Sequence, residues 1–104
     1  MLYDVRTYTC KPGGVPKQFE LYAEHGFAVQ TRHLGKPIVY GMVETGAINS
    51  FIHIWVYEDA ADRMRRRANM MADPEWTAYL EKSQAAGYLL KQENQLVQSA
   101  PFVE

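Results

Sequence analysis

The run Ser50-Phe51-Ile52-His53-Ile54-Trp55-Val56-Tyr57 constrains this chain more than any other segment. It is short and dominated by β-branched and aromatic residues, which predicts a strand. Side chains of a strand alternate between two faces. Ile52, Ile54 and Val56 therefore share one side, and Phe51, His53, Trp55 and Tyr57 share the other. Only His53 interrupts this apolar pattern. A strand with one face in water carries polar residues at alternate positions, and this one does not. It belongs in a sheet covered on both faces.

The length of the whole chain, 104 residues, limits what can do the covering. That length holds one domain, taken as residues 1–104. Leu2 to Cys10 alternates and is rich in Tyr, Val and Thr, which predicts a first strand, broken by Lys11-Pro12-Gly13-Gly14. A helix is expected from about Pro16 to about Arg32, with Phe19, Tyr22, Ala23, Gly26, Val29 and Gln30 on one side. Gly35 would end it in a left-handed conformation. Lys36 to Thr45 and Ser50 to Tyr57 form a hairpin, its turn at Gly46-Ala47-Ile48-Asn49, where Gly46 and Asn49 would take unusual backbone angles. Asp59 is placed to cap a helix, with Asp62 adding a carboxylate in the first turn. Asp73-Pro74-Glu75 restarts a helix by the same logic. Trp76, Tyr79, Leu80 and Ser83 share a face there, the two tryptophans, Trp55 and Trp76, being core anchors, and Gly87 terminates the helix. Tyr88 to Gln98 is the last strand, and Ser99 to Glu104 a loose tail.

That order is an α+β fold of the ferredoxin-like βαββαβ kind with a four-stranded antiparallel sheet. Its helices can cover only one side. Four strands about 4.8 Å apart and roughly 20 Å long present about 400 Å² on the other. Hiding a wholly apolar face of that size contributes on the order of 10 kcal/mol. Asp4, Arg6, Gln92, Glu93 and Asn94 lower that figure without removing it. The expectation is a homodimer whose sheets pair into a dimeric α/β barrel, the alternative being a two-layer monomer with an aromatic-rich exposed sheet.

Composition excludes several function classes. A net charge of −1 gives no general attraction to nucleic acid. No stretch approaches the roughly 18 apolar residues of a membrane span. The single Cys10 and the absence of a leader-like segment in MLYDVRTYTC point to a cytoplasmic protein. His25, His33 and His53 lack short ligand spacing, so no metal is expected, and Gly13-Gly14-Val15-Pro16-Lys17 lacks the pattern of a phosphate-cradling loop. The basic run Arg63-Met64-Arg65-Arg66-Arg67 reads as a solvated helix face around a buried stripe of Ala61, Met64, Ala68 and Met71, with Arg66 pointing away. Arg67, beside that stripe, is a candidate anchor for a carboxylate ligand.

Several short motifs recur together along the chain: Tyr3-Asp4-Val5-Arg6-Thr7-Tyr8, Lys11-Pro12-Gly13, Arg32-His33-Leu34-Gly35 and Glu44-Thr45-Gly46 with Asn49. His53-Ile54-Trp55 with Tyr57, then Arg63, Arg66 and Arg67, Asp73-Pro74-Glu75-Trp76 and Gln92-Glu93-Asn94 continue the series. In this order and spacing they resemble the NIPSNAP family over nearly the whole chain. The resemblance implies a dimeric α/β barrel and supplies no catalytic constellation. In the wider barrel superfamily, cofactor-free oxygenases, haem enzymes and small-molecule isomerases use a cavity between sheet and helices, an analogy of fold alone.

The residues themselves point to such a cavity between the first helix and the sheet. Gly26, mid-stripe, marks either close packing or a ligand notch. Tyr22 faces the same space, and His33 joins it if the helix extends far enough. Either the Val5 and Thr7 side or the Arg6 and Tyr8 side of the first strand lines it. His53 is either a general base or, more commonly for such a residue, a core histidine hydrogen-bonded to Asp4 or Glu44. Two functions follow. One is binding or transformation of a small, partly apolar molecule without metal or nucleotide cofactor, with Arg6, Tyr22, His33 and Arg67 as ligand contacts and His53 as the catalytic candidate. The other is a non-catalytic dimeric interaction module of the trafficking or quality-control type.

Overall fold

The computed structural model describes residues 1–103. Its elements run β1 (Leu2–Cys10), α1 (Gly14–His25), α2 (Phe27–Leu34), β2 (Val39–Met42), β3 (Ser50–Tyr57), α3 (Ala60–Met71), α4 (Pro74–Ala86) and β4 (Leu89–Gln98). The strands form one antiparallel sheet ordered β2-β3-β1-β4. This is the ferredoxin-like α+β plait, with each helical limb divided in two.

Register assigns the two faces. Trp55 lies opposite Asp4, and His53 opposite both Arg6 and Tyr40. Directly opposed residues share a face. The aromatic side of β3 is the one under the helices: Trp55 and Tyr57 join Tyr22, Val29, Leu34, Met70, Trp76 and Tyr79 in the main core. Cys10, Val15 and Phe51 form a second cluster near the end of β1. On the other face, Ile52, Ile54 and Val56 stay half-buried beside Tyr3, Val5 and Thr7, and no helix covers them.

The helix caps follow from the sequence. The Asp59 carboxylate accepts from the Asp62 backbone N–H at 2.8 Å, and the Asp73 carboxylate from that of Glu75 at 2.9 Å. Each satisfies a first-turn donor that the helix itself leaves unpaired. Gly87 closes α4 at φ +69°, a left-handed conformation that costs glycine little.

Five local expectations are corrected. The helix expected over 16–32 is two, broken at Gly26. A Cβ there would lie 2.7 Å from the Tyr22 ring and 2.9 Å from that of Tyr79, so glycine marks close packing and not a notch. Ala23 is exposed. The β2 strand is confined to Val39–Met42. Asn49 takes no positive φ; Gly46 does, and Asn49 C=O accepts from Cys10 N–H at 2.7 Å. Of the tail, Ser99 N–H donates to Met1 C=O at 3.0 Å, while Glu104 lies outside the described residues.

A sixth correction is the largest. The α3 helix buries the side opposite to the expected one: Met64 is 72% exposed and Met71 54%, while Asp62 and Met70 are buried. Arginines turn inward because buried acids and a carbonyl await them. Arg63 Nε donates to Asp4 at 3.1 Å, and Arg66 donates to Asp62 at 2.9 Å and to Leu34 C=O at 3.3 Å. Leaving Asp4 unpaired beneath the helices would cost more than burying two methionines would save.

Candidate functional site

Between the helical layer and the sheet lies a cleft of about 500 Å³. The register that puts Arg6, Tyr8, Tyr40 and His53 on the covered face makes them its floor. Tyr22 of α1, Gln30 of α2, Arg67 of α3, and Trp76 and Tyr79 of α4 form the wall. Leu89 and Gln92 stand at the mouth, because β4 is exposed along almost all of its length. Of the two faces of β1 that could line a cavity, it is the Arg6 and Tyr8 side that does.

Below the floor sits Asp4, fully buried. It accepts from Arg6 Nη1 at 3.0 Å, Arg63 Nε at 3.1 Å and Asn94 Nδ2 at 3.2 Å. Burial raises its pKa, yet the Asn94 amide and the two guanidinium groups outweigh that and hold it below the usual carboxylate value. Arg6 keeps its charge by the same exchange. Burial works against the cation, and Tyr8 and Asp4 more than restore it.

His53 is 2% exposed and sits against Tyr40, stacked at 4.7 Å, and Tyr8, edge-on at 4.7 Å. Its partner is neither Asp4 nor Glu44: Trp55 Nε1–H donates to His53 Nδ1 at 2.7 Å. Burial, with Arg6 beside it, pushes the imidazole pKa down to about 3. The ring is therefore neutral near pH 7, its lone pair at Nδ1 engaged and its proton on Nε2. Among the described residues that Nε2 has no hydrogen-bond partner, nor has the indole nitrogen of Trp76. In this state His53 offers a donor and no free basic lone pair.

The tyrosine hydroxyls keep their protons as well. The Tyr22 hydroxyl donates to Gln30 Oε1, and Tyr79 accepts from Gln18 Nε2 at 2.9 Å. Burial pushes the hydroxyl pKa values of Tyr22 and Tyr40 far up and that of Tyr79 up to about 12, so all three stay protonated at neutral pH. Arg67 is half-buried, and its charge is felt at His53 and Tyr57.

Arg6, Tyr22, His53 and Arg67 thus meet around one cleft. His33 does not join them. Its Nε2 lies 2.8 Å from Asp73 Oδ2, and Arg32 bonds Asp73 and Glu75, a network that ties the end of α2 to the start of α4. Tyr40 was not singled out from sequence, and Trp76 was read only as core. The hairpin register could have found Tyr40, since it lies opposite His53. Nothing local marks the unpaired indole of Trp76. Among the described residues, no cluster of three or more His, Cys, Asp or Glu could hold a metal ion, and no helix is long and apolar enough to cross a membrane.

The NIPSNAP family profile matches residues 3–104. A NIPSNAP family protein of unknown function from Agrobacterium tumefaciens is 36% identical and superposes with a TM-score of 0.88, covering 98% of this chain and 90% of its own. A NipSnap homologue from Dictyostelium discoideum is 30% identical over 84 residues, or 81% of this chain; the chain spans only 37% of that relative's length. A solved antibiotic biosynthesis monooxygenase shares 19% identity at a TM-score of 0.64, covering 97% of this chain and all of its own, which is a likeness of fold alone.

Proposed function

The chain belongs to the NIPSNAP family, and from that premise we propose that it binds, and in an enzymatic reading transforms, a small, partly apolar molecule in the cleft between helices and sheet. One observation carries the reading. A cleft of about 500 Å³ is walled by aromatic rings into which a few polar groups converge, the usual make-up of a small-molecule site. Arg6, Tyr22 and Arg67 are its ligand contacts. His53 serves as a hydrogen-bond donor, since its lone pair is engaged by Trp55. No metal or nucleotide is required of such a site.

The working unit in this proposal is a cytoplasmic homodimer closed across the bare face of the sheet. Ile52, Ile54 and Val56, with Val5 beside them, form an aliphatic strip that water covers poorly. A second reading, a non-catalytic interaction module, draws on a different feature: the outward Met64 of α3.

Native mass spectrometry of gently purified protein tests both. The expected species has twice the subunit mass and carries a small-molecule adduct. Gln92→Trp, which fills the exposed mouth of the cleft, is expected to remove the adduct and leave the dimer. A dimer without adduct, unchanged by that substitution, would favour the interaction module.

A further inference from the structure

The buried lining of the cleft is one-sided in its hydrogen-bonding chemistry; Gln84 and Gln92, which carry acceptors, stand exposed at the mouth. Among the described residues, no carboxylate lines the cleft. Two acceptors on its wall are already engaged: Gln30 Oε1 takes the Tyr22 hydroxyl, and Ser83 Oγ takes Gln18 Nε2 at 3.3 Å. The donors are not matched in the same way. His53 Nε2 and Trp76 Nε1 have no partner among the described residues, and both side chains line the cleft. An interior donor left without an acceptor is unfavourable, and native structures seldom keep two in one place without a purpose.

Charge is one-sided too. Arg6 is held by Asp4 at 3.0 Å. The other α3 arginines have their acids: Arg63 pairs with Asp4, and Arg65 and Arg66 with Asp62. Arg67 has no ion-pair partner among the described residues, although it is half-buried in the cleft wall. One uncompensated guanidinium calls for one negative charge, and its planar fork of N–H groups matches a carboxylate. The surrounding surface is different again. Tyr8, Tyr22, Tyr40, Trp76, Tyr79 and Leu80 present ring faces and aliphatic carbon, suited to a flat apolar body.

We propose that the cleft takes a monocarboxylate with a flat, apolar body, its carboxylate paired with Arg67 and its body lying among the tyrosines. This rests on the small-molecule reading above and narrows it to one chemical class. The donors at His53 and Trp76 then favour oxygen acceptors over further donors on the ligand.

The test compares 2-naphthoate and 4-phenylbutyrate with their primary amides, which keep the shape and lose the charge. The chain has two tryptophans, so its indole N–H resonances report on both the cleft and the fold. Trp76 lines the cleft, while Trp55 is bonded to His53. The carboxylates are expected to bind at least about tenfold more tightly than the amides and to move the Trp76 signal. Arg67→Gln should abolish that preference and Arg67→Lys should keep part of it, the Trp55 signal staying in place to show an intact core. Equal binding of acids and amides, or a preference that survives Arg67→Gln, overturns the carboxylate assignment and leaves the small-molecule reading standing. Binding of neither class removes both.

Discussion

The two faces of one sheet are built on opposite principles. Under the helices, β3 offers Phe51, His53, Trp55 and Tyr57, the first three each committed to a particular neighbour. Tyr8 meets Phe51 edge-on at 5.3 Å, Tyr40 stacks on His53, and the Trp55 indole bonds its imidazole. Asp4 and its three donors are folded into the same layer. One residue away along the strand, Ile52, Ile54 and Val56 present plain aliphatic surface to the open side. The covered face needs particular atoms in particular places. The open face needs only hydrophobic area. A site that recognises a ligand belongs on the first kind of surface, and an assembly surface can be made of the second.

The sharpest way to break this comparison is to truncate neighbours that point in opposite directions. Trp55→Ala removes a side chain with no exposed surface and strips His53 Nδ1 of its donor, so it should lower unfolding stability by about 5 kcal/mol. Ile54→Ala, measured by denaturant titration at the same protein concentration, should cost only about 1 kcal/mol. Equal losses would mean that the faces do not differ in kind.

Acid should also discriminate between them, because the covered face holds the groups with shifted pKa values. His53 falls from 6.5 to about 3 on folding, so the unfolded chain binds the extra proton between those values. Its contribution is complete above about pH 6.5 and is lost as the pH falls toward 3, roughly 5 kcal/mol in all. Asp4, also lowered, adds to the loss at the acid end of that range. Thermal unfolding followed from pH 7 to pH 4 should show this slope. His53→Asn keeps an acceptor for Trp55 without the titration and should flatten it.

The smallest expected effect concerns the open face alone. Ile54→Glu places a charge on the aliphatic strip and should weaken self-association by about 2 kcal/mol, read as a shift toward single subunits in sedimentation. The near-ultraviolet circular dichroism of the buried aromatics should stay as it is. A variant that dissociates no more readily than the parent would place the interface elsewhere.

Much of the architecture could be read without coordinates because it depends on neighbours close in sequence. Asp59 and Asp73 cap their helices through backbone N–H groups two or three residues on, and Gly87 ends α4 by its own backbone freedom. Alternation along β3 separated its faces correctly, since period two is a property of the strand itself. The site was partly legible for the same reason: Arg6 and Tyr8 alternate with Val5 and Thr7, so they could be grouped though not oriented. The errors share one origin. The Ala61, Met64, Ala68 and Met71 stripe looked like the buried side of α3 because periodicity counts apolar residues and knows nothing of remote acids. His33 looked like a cleft residue because the helix was read as unbroken through Gly26.

By itself, then, the sequence determined the elements, their order and the two apolar sides of β3, for these are set by local backbone chemistry and by the repeat of each element. Only the tertiary structure decided which side of α3 turns inward, which face of β1 floors the cleft, and that Trp55 partners His53. Arg63 finds Asp4 from 59 residues away, and Gly26 is a glycine because rings of α1 and α4 close over it. Pairings of that kind depend on the free energy of burying one group against another that the chain brings in from a distance, and no local pattern encodes it.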